Sequence, residues 1–376
     1  MLGPFTVDTY LPSFPAMEAE FGISRAVLSQ SLALYLAAFA ISTLILGPLA
    51  DKLGRRLIIL STLILYVSAS IGCALSEEYS TFLLFRLLQG IAAGGGLVSG
   101  RAMIRDVYNP EDAQFAMSRV TMMFAIAPSV APIIGGWLHE AFGWHSVFYF
   151  LALYGASIFV LMLIRIPETL HPSLRQSIHP VKVARVYGKT LTNQRYQSLI
   201  FIIACYFGGI FLYIASAPTV IFDFLNLGSK DFIVLLMPLV MGMMLGAWIN
   251  GRLAHRWTRE KTVTVALCIV TAGTVLNSLC AYLFPPTVFS VVGPLVIYTI
   301  GTGMAMPAMT VLVLDCFPKN RGTAAAMQGF VQMVGNATLT SLAVPVLSQQ
   351  PILLATGQFA LIIIALILWY RMKKCL

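Results

Sequence analysis

The sequence predicts an all-α polytopic membrane protein with twelve transmembrane helices in two six-helix bundles. First, 58% of its residues are apolar and only 10% charged, whereas a soluble domain carries roughly 25% charged residues. Second, the apolar residues run in stretches of about 20, the length that crosses a hydrocarbon layer near 30 Å thick. Outer-membrane barrels, with segments of about ten residues alternating in polarity, are excluded. Third, the basic turn Gly47–Arg56 returns in weaker form at Gly251-Arg252-Leu253-Ala254-His255-Arg256-Trp257-Thr258-Arg259-Glu260, an offset of 251 − 47 = 204 residues. A hydrophobic chain whose second half repeats its first has the construction of a transporter.

The N-terminal bundle, residues 1–166, holds spans near 1–16, 28–49, 57–76, 80–101, 115–138 and 146–166. The first begins at Met1 without a basic flank and contains Pro4, Pro12 and Pro15. Its 16 residues supply only about 24 Å of helix, so it reads as N-terminally truncated or tilted. The basic turn separates the second span from the third. The fourth carries Arg86 and the Gly94-Gly95-Gly96 run, and the fifth carries Pro128 and Pro132. Residues 167–197, with three prolines and five basic residues, read as a cytoplasmic linker. The C-terminal bundle, residues 198–376, holds spans near 198–222, 232–252, 262–284, 289–314, 323–346 and 352–370.

The net charge of +9 resides in inter-helix loops and not along one soluble face, which argues against nucleic acid as a partner. Loops after even-numbered spans carry Lys52, Arg55, Arg56, Arg101, Arg105, Arg119, Arg252, Arg256, Arg259, Lys261, Lys319 and Arg321, and the C-terminal tail adds Arg371, Lys373 and Lys374. The opposite loops hold only Arg25 and Lys230 beside several acids. Positive residues stay inside, so both termini face the cytoplasm. Six scattered cysteines form no CxxC pair and read as apolar packers, not as a disulfide or metal framework. The N-terminus lacks the basic region and cleavage site of a signal peptide.

Four motifs stand in order at the expected helix ends: Gly47-Pro48-Leu49-Ala50-Asp51-Lys52-Leu53-Gly54-Arg55-Arg56, Arg86-Leu87-Leu88-Gln89-Gly90, Ala131-Pro132-Ile133-Ile134-Gly135-Gly136 and Asp8-Thr9-Tyr10-Leu11-Pro12. Together they resemble the major facilitator superfamily, specifically its bicyclomycin and chloramphenicol resistance (Bcr/CflA) branch of drug:proton antiporters, over nearly the whole chain. The match is imperfect. Ala131 replaces the first glycine of the antiporter pattern, His255 replaces the loop aspartate in the second half, and no second R-x-x-Q-G appears. The resemblance implies proton coupling through Asp8 and Arg86, and a latch in which Asp51 pairs with arginine and with a helix N-terminus.

The residues can also be read without that resemblance. Asp8 is the one carboxylate well inside a span, where a charge is costly, so it should face a cavity or a partner and exchange a proton there; near the surface it would be a mere helix-end residue. Arg86 needs acceptors such as Gln89, a backbone carbonyl or a carboxylate, and serves either proton translocation or a structural hub. Gly47, Asp51, Gly54, Arg55 and Arg56 form a latch or an ordinary topogenic loop. Pro128, Pro132, Gly135 and Gly136 kink the fifth helix for pivoting or simply pack it closely. Tyr35, Phe39, Tyr206, Phe207, Phe211 and Tyr213 are candidate lining residues of a substrate cavity, and equally candidates for packing. Methionines including Met237, Met241, Met243 and Met244 suit an adaptable binding surface or plain membrane packing.

Gly188-Lys189-Thr190 lacks the upstream glycine of a phosphate loop, so no ATPase is present, and Asn336-Ala337-Thr338 is a glycosylation triplet only in name, inside a helix. The expected protein is therefore not an enzyme. It is a monomeric secondary transporter of the bacterial inner membrane, without cofactor or metal, that uses the proton gradient to export small amphipathic drugs. Export of a physiological metabolite is the alternative, followed by a non-transporting receptor and by uptake through symport.

Overall fold

The computed structural model describes residues 2–107, 120, 127–128, 130–170, 175, 188, 192–253, 256–317 and 321–374. These residues are almost entirely helical, with no strand among them. The chain forms two compact units, Met1–Arg185 and Val186–Leu376. Most of the expected linker 167–197, half of span 115–138, and the positions of His255, Arg119, Lys319, Lys189, Thr190 and Cys375 lie outside the described residues.

In the first unit α1 (Leu2–Asp8) and α2 (Phe14–Phe21) are joined by a turn and a short 3-10 segment, Leu11–Ser13. The continuous first span expected over 1–16 is therefore corrected: the helix is broken just after Asp8 and ends at Phe21. Pro12 and Pro15 lack the N–H that an unbroken helix would need there. Next come α3 (Arg25–Leu53), α4 (Arg55–Ala74), α5 (Tyr79–Val107), α6 (130–142) and α7 (His145–Arg165). An aromatic knot pins the broken helix. Phe21 packs on Phe82 and Trp144 with centroids 5.6 and 5.5 Å apart, and Trp144 Nε1 donates to Glu20 at 2.6 Å.

The second unit contains α8 (Gln194–Ala215), α9 (Phe232–Leu253), α10 (Arg259–Leu283), α11 (Val288–Asp315) and α12 (Arg321–Thr338). After α12 the chain widens into a π-helical turn, Leu339–Ala343, and continues as α13 (Val344–Leu347) and α14 (Pro351–Lys374). A second π-turn, Thr219–Phe224, follows α8, so the seventh span is not one uniform helix over 198–222.

Ten helices among the described residues are long and apolar enough to cross a membrane. The other two of the expected twelve are the broken first helix and the fifth, of which half is described. Burial is inverted relative to a soluble protein. Ile45, Leu153, Ile164, Trp248 and Phe289 are exposed, while Arg86, Gln89, Asn277, Asn336 and Gln358 are buried. Apolar side chains can face hydrocarbon at no cost, whereas polar ones must be enclosed.

Candidate functional site

The first unit encloses Asp8 (3% exposed) and Arg86 (fully buried). Asp8 ends α1 just where the prolines interrupt the chain, and its Oδ1 has no hydrogen-bond partner among the described residues. The α6 motif lies against the same turn. A Cβ on Gly135 would collide with the carbonyl oxygen of Thr9, so only glycine permits this approach. Ala131, Pro132 and Gly136 are buried with it, and Pro128 is half-buried.

Arg86 lies between two rings, its guanidinium carbon 4.4 Å from the centroid of Tyr10 and 4.7 Å from that of Tyr35. Such stacking stabilises a desolvated guanidinium through the negative ring faces. Its Nη1 donates to Gln89 Oε1 at 2.9 Å and to the Thr6 carbonyl at 3.4 Å. Gln89 Nε2 donates to Ser70 Oγ at 2.7 Å, and Ser70 donates to the Tyr66 carbonyl at 2.7 Å. Thr6 spends its proton on the Leu2 carbonyl and thus accepts from Tyr66 Oη at 2.6 Å. Gly90 allows this face of α5 to approach the Tyr35 backbone, where a Cβ would clash. The expected Gln89 and backbone-carbonyl partners are both present, but no salt bridge joins Arg86 to Asp8. Arg86 Nε and Nη2 and Tyr35 Oη also have no partner among the described residues. The site thus combines a buried cation with two spare donors and a buried carboxyl with a spare oxygen.

At the other end of these helices, Asp51 pairs with Arg55, which also reaches Asp106 Oδ2 at 3.4 Å. Gly54 has φ +107°, a conformation that glycine tolerates and other residues resist. It cannot cap α4, having no side chain. Glu168 does so instead, accepting from the backbone N–H of Arg55 at 3.0 Å and of Arg56 at 3.1 Å. A carboxylate at a helix N-terminus answers both the free amides and the helix dipole. At this helix N-terminus the carboxylate is therefore Glu168 and not Asp51. Arg56 donates to the Leu163 carbonyl at 2.8 Å, and Thr169 Oγ1 to Asp106 Oδ2 at 3.3 Å. Gly47 packs near Val98. Sequence reasoning missed Asp106 and Glu168, although Glu168 is the one acid in the basic stretch 167–197.

The aromatic candidates are placed as follows. Phe39 stacks 6.3 Å from Tyr35. In the second unit Tyr206, Phe211 and Tyr213 are buried and Phe207 is half-buried. Tyr206 donates to Met306 Sδ at 3.5 Å, while its carbonyl accepts from Tyr298 Oη at 2.6 Å. Tyr213 Oη accepts from Asn277 Nδ2 at 2.6 Å; Asn277 also donates to Gln358 Oε1 at 2.8 Å, and Gln358 Nε2 to the Gly209 carbonyl at 3.3 Å. This closed amide network ties α8, α10 and α14 together, and neither amide had been singled out from sequence. Met237, Met241 and Met244 are exposed.

The sequence model of the Major Facilitator Superfamily matches residues 1–340. The chain belongs to that superfamily. Members of the superfamily are transporters of small molecules and not enzymes, and this chain is a multi-pass membrane protein of that class. It is 27% identical over 348 residues to a bicyclomycin resistance protein homolog of Haemophilus influenzae, covering 91% of this chain and 86% of the relative. Multidrug resistance protein D of Escherichia coli is 25% identical over 346 residues, covering 91% and 85%. The crystal structure of a bacterial homolog to the human lysosomal transporter Spinster, inward-facing and unoccupied, shares the fold. It has a TM-score of 0.73 and 16% identity, and the match covers 99% of this chain and 95% of that one.

Proposed function

We propose that this superfamily member exports small amphipathic drugs, of the bicyclomycin and chloramphenicol kind, from the bacterial cell in exchange for protons. It does so as a monomer in the inner membrane with both termini cytoplasmic. The observation that carries the reading is the buried pair of incompletely satisfied groups, Asp8 and Arg86. The names of the drug-resistance relatives support the substrate class.

Burying a bare carboxylate in a membrane protein is costly, and protonation removes the charge. Asp8 can therefore hold a proton while enclosed and lose it when water or substrate reaches Oδ1. Arg86, fixed by Gln89 and two tyrosine rings, touches the Thr6 carbonyl and the Tyr10 ring, two residues to either side of Asp8, and makes no ion pair with Asp8. The α6 glycines let that helix pivot directly against the Asp8 turn. Alternating access then joins drug movement to proton movement, with the Asp51–Arg55–Asp106 cluster and Glu168 fastening the helix ends in one of the two states.

The test is drug-induced proton release from purified protein in detergent, compared with Asp8→Asn. The expected outcome is release on binding by the wild type and none by the variant. Binding without release, or equal release from both, overturns proton exchange through Asp8 and moves the metabolite exporter ahead.

A further inference from the structure

The second unit contains two kinds of buried amide. In the Tyr213–Asn277–Gln358 network the amide groups find each other and close a tie between three helices. Asn336, on α12, does the opposite: it is 1% exposed, and neither Nδ2 nor Oδ1 has a partner among the described residues. A side-chain amide offers two donors and an acceptor, and leaving such a group buried and unmade is expensive. Packing alone would favour leucine there.

Asn336 is also not isolated. Gln328, Gln332, Asn336 and Thr340 stand four residues apart on one face of the helix, a polar ladder about 18 Å long at 1.5 Å per residue. Gln328 is 9% exposed; its Nε2 reaches Thr310 Oγ1 at a long 3.4 Å, and its Oε1 has no partner among the described residues. Gln332 is half-buried. Thr340 is fully buried and donates to the Asn336 carbonyl at 2.9 Å, so it leaves the Asn336 side chain free. The ladder runs into the π-turn Leu339–Ala343, a helix defect frequently found at functional sites.

We infer that this face of α12, centred on Asn336, is a hydrogen-bonding site for a neutral carboxamide or lactam group of the transported molecule. An amide of the ligand offers an N–H for Asn336 Oδ1 to accept from or a C=O for Nδ2 to donate to, and side-chain and ligand amides alike stay uncharged at any working pH. No Asp, Glu, His, Lys or Arg side chain is buried among the described residues of this unit, so a charged group would find no buried counter-ion here. The inference rests on the drug-export reading for its substrate, yet the site itself is separable from proton exchange.

The experiment measures equilibrium binding to the purified full chain of two probes: chloramphenicol, a neutral amide, and tetraphenylphosphonium, a cation without hydrogen-bonding groups. Wild type, Asn336→Leu and Gln332→Leu are compared, with proton release and thermal unfolding recorded in the same samples. Asn336→Leu is expected to weaken chloramphenicol binding about tenfold or more, as a site built to hydrogen-bond its ligand should. Gln332→Leu should weaken it less, and both variants should bind tetraphenylphosphonium within about twofold of wild type. The ligand-free Asn336→Leu protein should unfold at the same or a higher temperature, because its buried orphan is gone; a structural hydrogen-bonder would lower it. Unchanged chloramphenicol binding, equal loss of both probes, absence of saturable chloramphenicol binding by wild type, or a lower unfolding temperature overturns the inference. If Asn336→Leu loses chloramphenicol selectively while no probe displaces protons, the site stands and proton exchange fails. If protons are displaced through Asp8 while Asn336→Leu binds normally, the reverse holds.

Discussion

The two halves solve the same two problems differently. Adding 204 to Gly54 and Arg55 gives Thr258 and Arg259, so the repeated loops can be compared residue by residue. In the first, Gly54 has no capping side chain, and α4 is capped by Glu168 from more than a hundred residues away. In the second, Thr258 has φ −68° and caps α10 itself, accepting from Lys261 N–H at 3.3 Å. Arg55 is nearly enclosed between Asp51 and Asp106. Arg259 meets Asp315 at 2.5 Å, but both side chains are about half exposed, at 55% and 42%. The interiors differ in the same sense. The described buried charges, Asp8, Arg55 and Arg86, all lie in the first unit, while the buried polar residues of the second are hydroxyls and amides. The first half encloses charge and caps a helix from a distance; the second uses a local cap and neutral hydrogen bonds.

The largest effect that would break this contrast is at Arg86. Arg86→Lys keeps the charge but loses the planar stack on Tyr10 and Tyr35 and the geometry toward Gln89. Proton-coupled transport in proteoliposomes should fall at least about tenfold, whereas Arg259→Lys should stay within about twofold of wild type. Equal losses would erase the distinction between the halves.

The caps come next. Glu168→Ala leaves the Arg55 and Arg56 amides without their acceptor and should cost about 1–3 kcal/mol. Thermal unfolding in detergent should drop by about 2–4 °C per kcal/mol. Glu168→Gln keeps the acceptor oxygen, loses the charge and should recover part of this. Thr258→Ala should cost about 1 kcal/mol, in the usual range for a lost N-cap; a larger loss there than at Glu168 would contradict the assignment of the stronger tie to the first half. The smallest effect is expected at the exposed pair. Asp315→Asn should change stability by no more than about 0.5 kcal/mol, and high salt should leave wild type and variant alike.

Much of this was legible beforehand because hydrophobic length, proline and basic loops act locally. The spans 57–76 and 289–314 became α4 (Arg55–Ala74) and α11 (Val288–Asp315), shifted by at most two residues at each end. Asp8, Arg86 and Gln89 stood out because ionised or strongly polar side chains are rare in such spans. Glu168 was harder to see. Its role depends on a glycine 114 positions earlier lacking a side chain, and no period or composition connects them. Asn277 and Gln358 were equally silent, each an ordinary amide until the fold brings them together. Asn336 was noticed only as a triplet to be set aside.

The sequence by itself therefore determined the membrane class, the repeat and the residues able to carry charge inside the bilayer, because each follows from local hydropathy and side-chain chemistry. Tertiary structure alone decided which of those groups are satisfied. Folding encloses Arg86 between two tyrosines, leaves Asp8 Oδ1 and the Asn336 amide without partners among the described residues, and gives α4 its cap from a distant carboxylate. Hydrogen-bond completion depends on contacts between helices far apart in the chain, and only packing can supply or withhold those contacts.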